Sequence, residues 1–253
     1  MSERLQRAVQ YLAALHRPGP RPVSLPAELS PRDEAEAYQL QQQIMDALKA
    51  TVGGWKVAMS GLNAGSFAPV YAADIHTTGS RVRSAICERL GIEPEVAFTL
   101  CRALPAGRQY SRAEVIDAIG AAHAAIEIVV SRFQRHETAV PLDRLADNIS
   151  NGGLVLGPAL TRWQQLDFAT LPVTMTVTDA HGEPEAHRSR GGHPQMDPLL
   201  PMTWIANARA ARGTGLQAGD VVTTGSYAGL HYAGRGAHVR VEFEGLGAVE
   251  LYG

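Results

Sequence analysis

The sequence predicts an α+β fold, because two amphipathic helices near the N-terminus are followed by a long series of short β-strands. The pattern changes at about Gly53, and two further predicted helices interrupt the strands. We therefore expect a helical N-terminal segment, residues 1–52, and a β-rich body, residues 53–253, that form one integrated domain. A chain of 253 residues is long enough to bury a sizeable hydrophobic core.

The N-terminal segment contains two predicted helices. In RLQRAVQYLAALHR, apolar residues from Leu5 to Leu15 recur at spacings of three and four, which is typical of an amphipathic helix, and RPGPRP ends it. The second helix is predicted to follow Ser30 as its N-cap, with Pro31 at the first helical position.

The body contains strand-like runs separated by Gly, Pro and Asn, which favour turns. The runs are GGWKVAM, EVAFTL, AIEIVVSRF, GLVLG, PVTMTVT, DVVTTGS and HVRVEFEGLGAVEL. One inserted helix begins with the capping box formed by Ser111 and Glu114, and the other spans roughly residues 198–212.

Composition and charge exclude several classes of protein. With 45% hydrophobic and 19% charged residues, the chain is an ordinary globular sequence, and its formal net charge of −2 provides no broad basic surface for nucleic acid. Cys87 and Cys101 lack the CxxC spacing of a zinc site and are too few for a disulfide framework. No run of 18 apolar residues occurs, so we expect no membrane partner and a cytoplasmic location.

Three glutamates lie where their apolar neighbours indicate buried strands. In GIEPEVAF, Glu93 and Glu95 are two residues apart and therefore point to the same face of a strand. Pro94 between them cannot donate a ladder hydrogen bond, which predicts an edge strand or a bulge. Glu127 has apolar neighbours on both faces of its strand. Three inward carboxylates suit a hard divalent cation such as Mg²⁺ or Mn²⁺.

A structural role for these acids is the alternative. Glu93 and Glu95 would then face solvent from an edge strand, and Glu127 would form an ion pair, for example with Arg132. The spacing of the residues leaves both interpretations open.

Two further features allow either a functional or a structural role. Lys56 lies in the apolar run GGWKVAMS, where burial would lower its pKa and suit it to proton transfer, although a lysine stem can also extend to the surface. The strand in AGDVVTTGSYAG ends at residues 223–226, whose hydroxyls and amides could hold a carboxylate or form a plain turn.

Seven motifs, taken in order and spacing, carry a family resemblance. They are GWKVAMS, YAADI, IEPEVAFTL, AAIEIVVSR, DNISNGGLVLG, DPLLPMTWIANARAARGTGLQAGDVVTTGS and EGLGAVEL. Together they resemble the hydratase and decarboxylase branch of the fumarylacetoacetate hydrolase superfamily, from about residue 53 to the C-terminus. The resemblance implies a mixed β-roll or sandwich body with inserted helices, a small helical N-terminal segment and a homo-oligomer.

The resemblance also implies roles for particular residues. The implied set is Glu93, Glu95 and Glu127 for Mg²⁺ or Mn²⁺, Lys56 and Asp74 for proton transfer, and Thr223, Thr224, Gly225 and Ser226 for the substrate. Apart from the resemblance, the stretch HRSRGGH, residues 187–193, is predicted to be a mobile loop in which Arg188 or Arg190 is a candidate contact for a distal substrate carboxylate. One position departs from the family pattern, because Asp197 stands before Pro198 where relatives often carry His or Asn.

The implied activity is hydration of a 2-hydroxy-2,4-dienoate of the 2-oxopent-4-enoate type, giving a 4-hydroxy-2-oxo acid in the catabolism of aromatic compounds. A 4-oxalocrotonate-type decarboxylase is the alternative within the same branch. An acylpyruvate C–C hydrolase and a non-catalytic oxo-acid-binding protein are more distant alternatives. The sequence leaves the particular dienoate and the physiological metal open.

Overall fold

The computed structural model describes residues 2–135 and 138–253. Its helices are α1 (Glu3–Ala14), α2 (Glu34–Leu48), α3 (Arg112–Ala118), α4 (Pro141–Ala146) and α5 (Leu199–Ala211). Its strands are β1 (Val52–Met59), β2 (Gly65–Tyr71), β3 (Ile75–Thr77), β4 (Ser80–Arg81), β5 (Leu90–Leu100), β6 (Ile119–Val129), β7 (Asn151–Leu156), β8 (Pro172–Thr178), β9 (Pro184–Arg190), β10 (Val221–Ser226), β11 (His231–Ala233), β12 (His238–Phe243) and β13 (Gly247–Tyr252). No helix in these residues combines the length and apolar character that a membrane span needs.

The strands form two sheets, which confirms the predicted α+β class. The larger sheet has the order β2-β1-β10-β5-β6-β7-β3, with β11 also pairing to β5, and the smaller has the order β4-β13-β12-β8-β9. Most pairs are antiparallel, whereas β1 with β10, β3 with β7 and β4 with β13 are parallel. Strands β2 and β7 contact each other although four strands separate them in the sheet order, so the larger sheet curls into a roll.

The two faces of the larger sheet carry different side chains. One face packs against the smaller sheet in the main core, where Phe98 of β5 is fully buried edge-on against Trp163 and Phe168. The other face, inside the roll, carries a smaller apolar cluster that includes Ala97 and Ala125. The acids of β5 and β6 lie on this second face, because residues at alternate positions of a strand share one face.

Helix α2 begins later than the sequence predicted. Its N-cap is Asp33, whose side chain accepts a hydrogen bond of 2.8 Å from the Glu36 amide. Ser30, the predicted N-cap, instead donates its hydroxyl to Asp143 of α4. The prediction was wrong because a tertiary contact, invisible in local sequence, uses the Ser30 hydroxyl.

The N-terminal helices pack onto the body through α4. Leu12, Leu40 and Ile44 share an apolar cluster with Phe133 and Leu145. Buried Asp143 adds a polar link, because it accepts a hydrogen bond of 2.9 Å from the Leu25 amide. The division at residues 52 and 53 stays a prediction about how the chain is organised.

The cap of α2 yields a first prediction. Asp33→Ala is expected to lower the free energy of unfolding by about 1 kcal/mol, because the Glu36 amide loses its acceptor. Asp33→Asn should retain most of the stability, since asparagine caps helices about as well. Urea denaturation measures both variants. An equal loss in Asp33→Asn would show that the charge, and not the cap hydrogen bond, stabilises the helix.

Candidate active site

Three carboxylates meet inside the roll. Glu93 and Glu95 lie on β5, and Glu127 of β6 is the direct cross-strand partner of Glu93. One oxygen from each of the three carboxylates lies within 4.8 Å of the others. Glu95 and Glu127 are 2% and 1% exposed, and Glu93 is half-buried. The alternative that Glu93 and Glu95 face solvent from an edge strand is therefore wrong.

Pro94 lies in an interior strand and not at an edge. It is opposite Ile126 of β6, and its carbonyl accepts a hydrogen bond of 2.8 Å from the Tyr227 amide. On that side the partner of β5 changes from β10 to β11, and the β10 register shifts between Thr223 and Ser226. Proline has no amide hydrogen to donate, and it lies where the ladder is irregular. Of the two predicted positions, an edge strand or a bulge, the structure therefore agrees with the bulge.

Lys56 is the cation beside the acids. It is 6% exposed, and its Nζ lies 2.5 Å from Glu127 Oε1 and donates to the Ile149 carbonyl at 3.2 Å. Glu127 therefore pairs with Lys56, and Arg132 pairs with Asp147 instead. Burial acts to lower the pKa of Lys56, but the charges of Glu127, Glu93 and Glu95 outweigh it and leave that pKa raised. The expectation of a lowered lysine pKa was wrong for this arrangement.

The acids carry more negative charge than Lys56 can balance. Burial, followed by the charge of Glu127, raises the pKa of Glu93 to about 7. Burial also raises the pKa of Glu95 well above its ordinary value, with Glu127 and Glu93 contributing. Three ionised carboxylates and one ammonium leave two negative charges uncompensated, which is the charge of one divalent cation. The residues therefore fit such an ion in charge, oxygen ligands and spacing.

The end of β10 holds Glu95 in place. The Thr223 hydroxyl and the Gly225 amide, the latter at 2.9 Å, both donate to Glu95 Oε2. Thr224 donates its hydroxyl to the Val96 carbonyl, and Ser226 donates to the Gly229 carbonyl. These residues were predicted to bind substrate, and that role stays a prediction. The contacts in the structure give Thr223 and Gly225 a different one, since they orient a carboxylate.

His193 supports the same strand end and was missed in the sequence. It is buried, and its Nδ1 accepts from the Gln195 amide, so its Nε2 donates to the Thr224 carbonyl at 2.9 Å. Burial lowers the pKa of His193, which favours this neutral form. A histidine followed by proline after two glycines was the available signal, but nothing local connects it to β10.

Asp74, the second predicted proton-transfer residue, lies apart from Lys56. It occupies a 3₁₀ turn after β2 and lines a polar cavity of about 170 Å³ together with Tyr71, Asn148 and Asn151. Burial raises its pKa. Among residues 2–135 and 138–253, Asp74 and Lys56 share neither a hydrogen bond nor an ion pair.

Lys56 and Glu93 open into a cavity of about 460 Å³. Its apolar lining includes Ala58, Met59, Val129, Leu142, Ile149 and Leu230, and its polar lining also includes Glu34, Ser60, Ser66 and Arg144. The cavity therefore combines charged groups with apolar wall residues, which suits a small molecule that has both polar and apolar parts.

The remaining predicted substrate contacts lie elsewhere. Arg188 and Arg190 are exposed on β9 of the smaller sheet and do not line this cavity. Asp197 accepts from the Leu199 amide at the start of α5 and pairs with Arg112 at 2.6 Å. The departure at position 197 is thus explained by the helix start and a surface ion pair.

Asn151 is a further site residue that the sequence did not single out. Its Nδ2 donates to Glu127 Oε1 at 3.0 Å, the same oxygen that pairs with Lys56. Neither of these two contacts uses the other Glu127 oxygen. The motif DNISNGG contained Asn151, but its local pattern resembles an ordinary loop.

The fold and the site define the class of protein. It is an α+β protein with a two-sheet body and a cavity of about 460 Å³ that is large enough for a small molecule and has Glu93 in its wall. A family model described as Fumarylacetoacetate (FAA) hydrolase C-terminal matches residues 34–251. The chain therefore belongs to the fumarylacetoacetate hydrolase family, as its motifs predicted.

Individual relatives agree with this assignment. The chain is 28% identical over 229 residues to a 2-keto-4-pentenoate hydratase of Burkholderia vietnamiensis, covering 86% of this chain and 85% of the relative. It is 26% identical over 230 residues to a 4-oxalocrotonate decarboxylase of Pseudomonas putida, covering 85% and 83%. A solved 4-oxalocrotonate decarboxylase from Pseudomonas putida G7, complexed with magnesium and adipate, has the same fold with a TM-score of 0.83, 20% identity and coverage of 99% and 97%.

The ion pair of Lys56 yields a second prediction. Lys56→Met should lower the free energy of unfolding by about 3–5 kcal/mol at pH 8 in metal-free buffer, because it leaves Glu127 buried without its partner. The loss should shrink at pH 5. Glu93 has a raised pKa of about 7, so its protonated form contributes to stability at low pH and that contribution is lost as the pH rises through about 7. At pH 5 the acids therefore carry less negative charge, and the loss of the lysine matters less. Lys49→Met, at an exposed helix end, is the matched control.

Chemical denaturation at the two pH values measures the effect. A pH-independent loss in Lys56→Met would contradict the view that the lysine balances the acids.

Proposed function

We propose that the chain is a divalent-metal-dependent lyase that adds water to a 2-hydroxy-2,4-dienoate, giving a 4-hydroxy-2-oxo acid. The observation that carries this proposal is the buried trio Glu93, Glu95 and Glu127, with Lys56 at the charged end of a cavity. The hydratases among its relatives support the reaction class, since one of them matches most of the chain.

The trio would hold the metal ion, which we propose to be Mg²⁺ or Mn²⁺. Oxygen-only ligands favour hard cations of this kind over softer metals. Solved proteins of similar fold support the choice, because one is complexed with magnesium and another, a fumarylpyruvate hydrolase with a TM-score of 0.58, with Mn²⁺ and pyruvate. When bound, the ion would withdraw electron density from the 2-oxo acid and ease proton movement along its chain.

The protein side chains would bind the substrate and move its protons. Lys56 lies at the cavity wall, and its ion pair with Glu127 favours the protonated ammonium form. The ammonium can therefore donate a hydrogen bond to the anionic end of a substrate. Thr223 and Gly225 would act mainly by fixing Glu95, while the amide and hydroxyl groups of Thr224 and Ser226 stay candidates for the substrate carboxylate.

Asp74 would act from the polar cavity on the opposite side of the segment that contains Asn148 and Asn151. Burial raises the pKa of Asp74 above the ordinary value of an aspartate, which is the direction that favours a role in proton transfer. A homo-oligomeric assembly and a cytoplasmic location also belong to the proposal, on the strength of the family resemblance.

The metal site and the reaction are tested together by a third prediction. The protein with Mg²⁺ should consume 2-hydroxypenta-2,4-dienoate, followed as loss of its ultraviolet absorbance, without releasing CO₂. Glu95→Gln should weaken Mn²⁺ binding, measured by calorimetry, by at least about tenfold and abolish turnover, because a charged ligand becomes neutral.

Glu183→Gln, at an exposed turn, makes the same chemical change away from the site and should alter neither quantity. Unchanged Mn²⁺ affinity in Glu95→Gln would show that the metal site is wrong.

A 4-oxalocrotonate-type decarboxylase is the second candidate, and one feature favours it. A cavity of about 770 Å³ shares Val129 with the cavity of Lys56 and is lined by Arg21, Arg89 and Arg135. Arginines suit the second carboxylate of a dicarboxylate. The similar decarboxylase fold complexed with adipate, a dicarboxylate, is consistent with this reading.

A fourth prediction separates the candidates. We expect the wild-type protein to hydrate the monocarboxylate and to release no CO₂ from 4-oxalocrotonate. If it does release CO₂, the arginine-lined cavity is implicated, and the double variant Arg89→Gln/Arg135→Gln should then raise KM for 4-oxalocrotonate and leave KM for the monocarboxylate unchanged. Release of CO₂ without hydration would instead establish the decarboxylase.

A further inference from the structure

The segment Asn148–Ser150, here called the left-handed turn, has an unusual backbone. The φ angles of Asn148, Ile149 and Ser150 are 50°, 50° and 59°. Side chains disfavour this region, most strongly when they branch at Cβ as in isoleucine, and residues other than glycine usually visit it singly. Three such residues in succession must therefore be held by the surrounding structure.

Arg132 holds the chain on both sides of the turn. Its Nε donates to the Asp147 carboxylate before the turn, and its Nη1 donates to the Asn151 carbonyl after it at 2.8 Å. The Arg132 amide also donates to the Asp147 carboxylate at 3.1 Å. Arg132 and Asp147 are each 3% exposed, so solvent does not screen this pair.

The turn and the residue that follows it present two polar groups to the proposed active site. The Ile149 carbonyl accepts from Lys56 Nζ, and the Asn151 side chain donates to Glu127 Oε1. Both partners belong to the same ion pair. Within the turn, the Asn148 amide nitrogen Nδ2 donates to the Tyr71 hydroxyl at 2.9 Å, and the Ser150 backbone amide donates to the Asp147 carbonyl at 2.8 Å. Asn148 Oδ1 and Ser150 Oγ are buried and have no partner in the described part of the chain.

We propose that Arg132, Asp147 and Asn151 are positioning residues. Arg132 and Asp147 hold the left-handed turn, whose Ile149 carbonyl fixes Lys56, and the Asn151 side chain fixes Glu127. This arrangement directs both Lys56 and Asn151 to Glu127 Oε1 and leaves the second oxygen free for a metal ion. The inference rests on the proposed function only for the measurement of metal binding. The contacts of the turn with Lys56 do not depend on the proposed function.

The test uses Arg132→Lys, which keeps the charge but cannot reach Asp147 and Asn151 at once with a planar fork. We expect the Mn²⁺ affinity to fall about tenfold, the usual effect of removing a residue that orients a metal ligand. Arg240→Lys is the matched control, because Arg240 also serves two acids, Glu242 and Glu250, but lies in the smaller sheet. It should leave the affinity unchanged.

A second readout needs no metal. The chain contains two lysines, exposed Lys49 and buried Lys56. Acylation with an amine-reactive reagent, resolved by peptide mass spectrometry, gives the modification rate of Lys56 relative to Lys49 as an internal standard. Arg132→Lys should raise this ratio severalfold, because the Ile149 carbonyl no longer stays on the Lys56 ammonium.

Ser150→Gly distinguishes positioning from a general loss of structure. Glycine adopts positive φ readily, and the Ser150 hydroxyl has no partner to lose. In the Arg132→Lys background, Ser150→Gly should therefore recover much of the Mn²⁺ affinity and lower the Lys56 labelling ratio. It should not rescue Asn151→Ala, which keeps the turn but lacks the donor to Glu127.

The positioning role of Arg132 and the proposed function fail under different results. Unchanged labelling and Mn²⁺ affinity in Arg132→Lys, or a Ser150→Gly variant that folds but rescues neither readout, would overturn it. If Arg132→Lys does not fold, a normal Mn²⁺ affinity in Asn151→Ala would do so instead. Absence of Mn²⁺ binding by the wild-type protein would overturn the proposed function alone, because the labelling ratio still reports on the turn.

Discussion

The organisation of the site depends on keeping three carboxylates close together inside the protein. Glu95 and Glu127 are almost fully buried, and Glu93 is only partly open to solvent. Their mutual repulsion and loss of hydration would normally drive them apart or neutralise them. Lys56 offsets one charge. The rest of the surrounding structure consists of hydrogen bonds that hold each acid in place while leaving oxygens unused.

Two separate parts of the chain provide these hydrogen bonds. The end of β10 fixes Glu95 through Thr223 and Gly225, and His193 supports that strand end through a hydrogen bond to the Thr224 carbonyl. The left-handed turn fixes Glu127 through Asn151 and contacts Lys56 through a carbonyl. In both places the backbone departs from regular geometry, at a bulge or at positive φ, since regular strands would not aim an amide or a carbonyl at the acids.

Local sequence predicted much of this arrangement, and its errors have a common cause. Alternation placed Glu93 and Glu95 on one face, apolar neighbours placed Glu127 inside, and the helix expected at about 198–212 is α5 at Leu199–Ala211. Ser30 lost its predicted cap role to a contact with Asp143, and Glu127 pairs with Lys56 and not with nearby Arg132. Both of these errors concern a partner more than 70 residues away along the chain, which no local pattern identifies.

The sequence by itself determined the α+β class, the family and the three acids, because periodicity and motif spacing are local properties of the chain. Only the tertiary structure decided which cation faces the acids, that Asp74 lies in a different cavity from Lys56, and that Arg132 clamps a left-handed turn. Strand order is responsible, since β10 lies between β1 and β5 and the curl of the sheet sets which side chains meet inside the roll. Such distances follow from the packing of the whole chain.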